Sequence, residues 1–261
     1  MDLDLSDRTA LVTGAGRGNG RAIALEFAGL GASVIVNDLE ADPAEAVAEE
    51  ITDAGGEAIA IEANVSDEDA VDEMVAKGTD ALGTVDILVN NAGIGDAGPF
   101  LGDDRETLRE RFRRNIDVHL WGSINCTLAT VDPMVEQGYG KVINITSIHT
   151  KNAVGMSPEY DVGKFSLLGL TKSLALELGR EGVRVNAVAP GWVNTRMTET
   201  FSEETHEQIK SSNPLGKYAE PEDIANAVAF LASPATDYVN GHELRVDGGQ
   251  VPIDSWKYDN R

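Results

Sequence analysis

The chain has 261 residues, 42% of them hydrophobic, with 27 glycines, one cysteine and a formal net charge of −23. That length allows one large domain with a substantial core, and the charge argues against nucleic acid or an anionic membrane as a partner, since both would repel it. Cys126 alone forms no intrachain disulfide or cysteine cluster, and His119, His149, His206 and His242 lack metal-ligand spacing, so no metal site is expected. The opening MDLDLSDRTALV lacks the basic-then-apolar order of a signal peptide, and no apolar run approaches the ~20 residues of a membrane span. The expectation is a soluble, cytoplasmic protein. Acidic residues are spread along the chain rather than gathered in a tail, which suits a halophilic surface kept hydrated in high salt.

Taken in chain order, short β-branched runs alternate with longer amphipathic stretches. TALVTG (9–14) precedes a helix pattern at 18–30, SVIVND (33–38) one at 43–55, and AIAIEAN (58–64) one at 67–82. DILVNNAG (86–93) precedes a single long helix at 104–130, KVINITS (141–147) one at 158–180, and VRVNAVAP (183–190) a stretch at 191–220 that breaks the rhythm. A helix pattern at 221–232 and HELRVDGG (242–249) close the series. Most runs are continuously apolar, as strands covered on both faces should be. This order predicts a single-domain α/β Rossmann fold, a doubly wound parallel sheet with helices on both faces. No linker-like composition interrupts 1–261, so one domain is expected, with a substrate loop at about 191–220 and a tail at 250–261.

TGAGRGNG (13–20) follows the first strand and opens the first helix, where free N–H groups suit a pyrophosphate. Gly14 permits the turn, Gly18 lets the backbone approach phosphate, and Gly20 permits close helix–strand packing. Asp38 ends the second strand, where a carboxylate accepts hydrogen bonds from the adenosine ribose. Asn64 and Val65 are placed to flank the adenine, and Asn90, Asn91, Ala92 and Gly93 to line the crevice. Arg17 could attract a 2′-phosphate, but Asp38 is nearer the ribose. At ~4 Å and an effective dielectric of ~20, a unit charge pair is worth roughly 4 kcal/mol. NAD is therefore expected over NADP.

SPEYDVGK (157–164) sets Tyr160 one helical turn before Lys164. With five tyrosines and eight lysines in the chain, the pair is uncommon by accident yet weak alone. Together with TGAGRGNG, NNAG, Asn115 in RRNIDVHLWG, Ser147 in INITS and PGWVNT (190–195), it resembles the short-chain dehydrogenase/reductase family over nearly the whole chain. The resemblance implies a seven-stranded parallel sheet, a tetramer joined through the helices of Asn115 and Tyr160, and a nicotinamide cofactor. It implies catalytic roles for Asn115, Ser147, Tyr160 and Lys164, with Asn115 anchoring a water that passes the proton outward. Tyr160 and Lys164 would also contact the cofactor, as would Pro190, Gly191, Val193 and Thr195. Three positions depart from the family pattern: Asn19 replaces an aliphatic cofactor-contact residue, Asn64 an Asp, and Gly163 a Ser or Thr.

A free phenol titrates near 10, and an ammonium at ~4–5 Å should favour phenolate by roughly 3–4 kcal/mol, two or three pKa units. That would make Tyr160 a base for an alcohol proton, with Ser147 holding the substrate oxygen. His149, two residues beyond Ser147 on the same side of an extended backbone, is the candidate for binding sugar hydroxyls. Dehydrogenases of this family that oxidise aldoses resemble the SIHT stretch, so NAD-dependent oxidation of a sugar or polyol is the leading expectation. A 3-oxoacyl-thioester reductase, a cyclic-alcohol dehydrogenase and a nucleotide-binding regulatory protein are the alternatives. The loop around Arg196–Thr200 is expected to close over the site. In this reading Trp256 or Tyr258 of the tail is expected to serve a neighbouring subunit's pocket, and the arginines of DRETLRERFRRN (104–115) an oligomer contact.

Overall fold

The computed structural model describes residues 3–153, 155 and 157–251. Strands β1 (Thr9–Val12), β2 (Ser33–Asp38), β3 (Glu57–Glu62), β4 (Val85–Asn90), β5 (Gly140–Ile145), β6 (Val183–Pro190) and β7 (Glu243–Val246) alternate with helices. They form one parallel sheet in the order β3-β2-β1-β4-β5-β6-β7. Helices α1 (Gly18–Gly29), α2 (Ala41–Asp53) and α3 (Glu68–Leu82) connect the first four strands. After β4 come α4 (Arg105–Ile116), a π-helical turn (Asp117–Trp121) and α5 (Gly122–Glu136), then α6 (Pro158–Leu178) between β5 and β6. The short α7 (Arg196–Glu199), α8 (Glu203–Ser212) and α9 (Pro221–Ala232) precede β7.

The apolar runs divide their side chains between two cores. Ala10, Val12, Val34 and Val36 face one core with Ile23 and Phe27 of α1, Val47 and Ile51 of α2, and Val228 of α9. The alternate residues Leu11 and Ile35 face the other with Val71 and Met74 of α3, Cys126 and Met134 of α5, and Ala175 of α6. β1 and β2 are therefore buried on both faces, which is why each reads as an apolar run, whereas the edge strands β3 and β7 are only partly buried. The order reverses between β1 and β4, and a crevice opens at such a point beyond the strands' C-terminal ends.

Two expectations change here. The long helix at 104–130 is instead three segments running to Glu136, interrupted by the π turn, which adds a residue to the helical path. The irregular stretch at 191–220 contains α7 and α8, and Met197 of α7 lies against Gly95. Four of the five arginines of α4 also find partners at home. Arg109 and Arg113 pair with Glu106, Arg111 with Asp103 and Glu159, and Arg114 with Asp96, so the helix carries little unpaired positive charge for another subunit. Trp256 and Tyr258 lie outside the described residues. Among those described, no helix is long and apolar enough to cross a membrane.

Candidate active site

The crevice is built first from the turn after β1. Thr13 Oγ1 accepts the N–H groups of Asn91 and Ala92 at 3.0 Å each, and Asn91 Nδ2 donates to the carbonyls of Thr13 and Gly14. NNAG is thereby clamped onto the glycine loop, and Asn91 spends its amide on that clamp. Gly14 and Gly18 sit at φ +61° and +53°, where a Cβ would be strained, and a Cβ on Gly20 would collide with the Gly14 carbonyl. Arg17 stands at the N-cap of α1 without a side-chain cap, so the first-turn N–H groups remain available to a phosphate. Asn19 follows in that first turn.

Asp38 is buried, and its Oδ2 accepts the Gly16 N–H at 2.9 Å, fixing the carboxylate beside the loop. The Arg17 guanidinium turns away to Glu40 at 2.7 Å. Asn64 is exposed and closes a turn on Ser66, while Val65 is buried against Gly122 of α5. From the other wall, Thr195 approaches Gly18, and Gly191 N–H is tied to the Val246 carbonyl, so the segment Pro190, Gly191, Val193, Thr195 meets the loop. Uncapped helix terminus, glycine cradle and strand-end carboxylate together fit a dinucleotide.

At the end of β5, Ser147 Oγ accepts the N–H of His149 at 3.2 Å and lies against Tyr160. Lys164 is buried, its Nζ donating to the Ile145 carbonyl at 2.8 Å and standing 5.8 Å from the Tyr160 ring centroid. The expected lowering of the phenol by this lysine is not what the structure shows. Burial raises the Tyr160 phenol above its ordinary value, the hydrogen bond with Ser147 opposes this, and Asp161 adds to it. Burial likewise pushes Lys164 down to about 8. Desolvation is the first cause for both groups, and it outweighs what either gains from its neighbours.

A family model described as enoyl-(acyl carrier protein) reductase matches residues 14–250. A 3-oxoacyl-[acyl-carrier-protein] reductase of Synechocystis sp. is 41% identical over 95% of this chain and 98% of its own length. The chain belongs to the short-chain dehydrogenase/reductase family. A (2S)-[(R)-hydroxy(phenyl)methyl]succinyl-CoA dehydrogenase subunit of Thauera aromatica is 38% identical over 95% of this chain and 98% of its own. The crystal structure of a gluconate 5-dehydrogenase from Burkholderia cenocepacia, in complex with NADP and tartrate, superposes with a TM-score of 0.89. It shares 31% identity and covers 95% of this chain and 97% of its own.

The substrate side differs from the sequence expectation in two places. His149 reaches Tyr160, with ring centroids 5.3 Å apart at 79°, but by a different route from the one expected. Residues Ile148–Thr150 form a 3₁₀ turn rather than extended backbone, because Ser147 caps it and Thr150 donates back to the Ser147 carbonyl. His149 Nδ1 is bonded to Asp161 Oδ1 at 2.6 Å, and its ring meets Trp192, which meets Phe201. Asp161 and Trp192 were visible in YDVGK and PGWVNT, but nothing in their spacing pairs them with His149.

The second difference concerns the asparagine. Asn115 is fully buried and spends both amide hydrogens on the carbonyls of Asp96 and Arg111, leaving only Oδ1 for a water. The side chain of that stretch which packs on Tyr160 is His119, at 5.5 Å and 86°. Its signal was HLWG, four residues on and therefore on the same helix face.

Proposed function

We propose that this family member oxidises a secondary alcohol of a polyhydroxylated substrate, a sugar or polyol, with NAD. The observation that carries the substrate class is the His149–Asp161 hydrogen bond beside Tyr160. With the Asp161 carboxylate engaging Nδ1, the His149 ring is held in place and its Nε2 is left to pair with a neighbouring hydroxyl of the substrate. Ser147 holds the reacting oxygen, Tyr160 takes its proton, and Lys164 steadies the phenolate from the buried side. A bound oxidised nicotinamide supplies the hydride acceptor and a positive charge near Tyr160. Asp38 and the loop Gly14–Gly20 would hold its adenosine and pyrophosphate, and Arg17, already paired with Glu40, offers little to a 2′-phosphate.

His149→Ala should raise KM on the preferred sugar by about 5- to 150-fold, the equivalent of ~1–3 kcal/mol for an unpaired polar group, with kcat changed far less. Steady-state kinetics across aldoses, polyols, 3-hydroxyacyl thioesters and cyclic alcohols provide the check. Turnover confined to thioesters would replace the sugar reading with the one that the acyl-carrier and CoA relatives favour.

We also propose a homotetramer. Trp121 and Leu128 along α5 and its entry, with Val162 and Phe165 on α6, are exposed apolar side chains on the two helical segments expected to meet. If the charge of −23 reflects salt adaptation, the melting temperature and the tetramer fraction should both rise from dilute buffer to molar KCl, as screening relieves self-repulsion. Equal melting temperatures in the two buffers would end the halophilic reading.

A further inference from the structure

His119 is a buried titratable group that the proposed reaction does not use. It sits in the middle of the π-helical turn, and such turns cluster at functional sites. Its Nε2 accepts the Ile94 N–H at 3.2 Å, which puts the ring proton on Nδ1. Nδ1 is buried and has no partner among the described residues. A fold gains nothing from an unpaired buried donor, and such exceptions call for a role.

Two glycines make the slot it occupies. A Cβ on Gly163 would lie 2.5 Å from His119 Nδ1 and 3.2 Å from its Cβ and Cγ. A Cβ on Gly93 would lie 2.9 Å from His119 Nε2 and 3.5 Å from Lys164 Nζ. The imidazole thus fills the space between β4's exit, α6, Tyr160 and Lys164. Gly163 is also the position at which this sequence departs from the usual Ser or Thr.

We propose that His119 is a positioning residue for proton transfer by Tyr160: a neutral ring, admitted by Gly163, that fixes the phenol edge-on and keeps water from the inner side of the Tyr160–Lys164 pair. Burial and the Lys164 charge push its own titration down to about 2, so it stays neutral wherever the enzyme works. The other titratable groups facing Tyr160 are His149 from the turn after β5, and Asp161 and Lys164 from its own helix. Opening the slot to water would resolvate phenolate and ammonium alike, lowering the phenol's pKa and raising the lysine's. The proposal rests on Tyr160 being the proton-transfer group.

Two measurements test it. Gly163→Ser should lower kcat/KM on the order of 100-fold, because the new side chain displaces the ring. His119→Asn in the same chain should recover about 10-fold or more, a coupling that independent structural damage would not produce. The same four proteins give a second cycle in melting temperature, with Gly163→Ala as the milder variant if the serine chain does not fold. Separately, the tyrosinate absorbance of the protein minus that of its Tyr160→Phe variant reports Tyr160 alone. In a His119→Asn background that titration should move down by about one unit. Additive losses in the cycles, or an unmoved Tyr160 titration, overturn the proposal. Neither the melting cycle nor the titration requires turnover, so failure to oxidise any alcohol would count against the dehydrogenase reading and leave these results to judge His119.

Discussion

Tyr160→Phe abolishes alcohol oxidation, with kcat falling by about 10²- to 10⁴-fold, while the melting temperature and the affinity for NAD change little. The magnitude is that of losing a positioned general base. The ring is retained, so its edge contacts with His119 and His149 survive, and the hydroxyl's removal spares a group that burial disfavours in its charged form. In the wild type, oxidation should climb with pH as Tyr160 loses its proton, and carbonyl reduction should fall over the same range, because reduction needs the protonated phenol. The variant should show neither limb. A variant that kept wild-type turnover would remove Tyr160 from the chemistry, leaving Ser147 and Lys164 as a binding pair.

Asp38→Ala shifts cofactor preference. Losing a charged acceptor at the ribose should raise KM for NAD by about 10- to 100-fold, since hydrogen bonds to ionised groups are worth ~1.5–3 kcal/mol. NADP should improve at the same time, because the carboxylate that repels a 2′-phosphate is gone. Part of the NAD loss will be indirect: Asp38 also receives the Gly16 N–H, so the loop loses a tether. Asp38→Asn separates the two, keeping an oxygen for Gly16 while removing the charge. Equal efficiency with NAD and NADP in the unmodified enzyme would show that Asp38 does not face the ribose.

What was legible depended on whether a residue's role is written in local pattern. The strands at 33–38 and 183–190 were bounded to the residue because each is buried on both faces and ends at a charged or turn residue. The glycine loop was legible because φ > 0 and close approach leave few alternatives to glycine. The break at Asp117–Trp121 was not, since α4 is polar on nearly every side and offers no stripe whose phase could slip. That slip has a cost at the site. Asn115 and His119 share a face, and only three-dimensional packing tells which one meets Tyr160. The His149–Asp161 bond joins positions 12 apart across a turn and a helix start, a pairing no periodicity reports. The same holds for Lys164, whose environment is set by a dry pocket rather than by its distance to a phenol.

The place of β1 in the sheet bears on how the chain acquires its site. β1 lies between β2 and β4, pairing Thr9 with Ser33 on one side and with Val85 on the other. A strand whose second neighbour arrives some 76 positions later (85 − 9) must pay loop closure before that pairing rewards it, which slows folding. On a ribosome, the glycine loop is made early and then waits, because Thr13 and Gly14 receive their clamp from Asn91. Until β4 docks, the phosphate cradle has no second wall. Nucleotide binding should therefore stabilise only the last assembled state, and amide protection of residues 13–20 should appear in the same kinetic phase as that of β4.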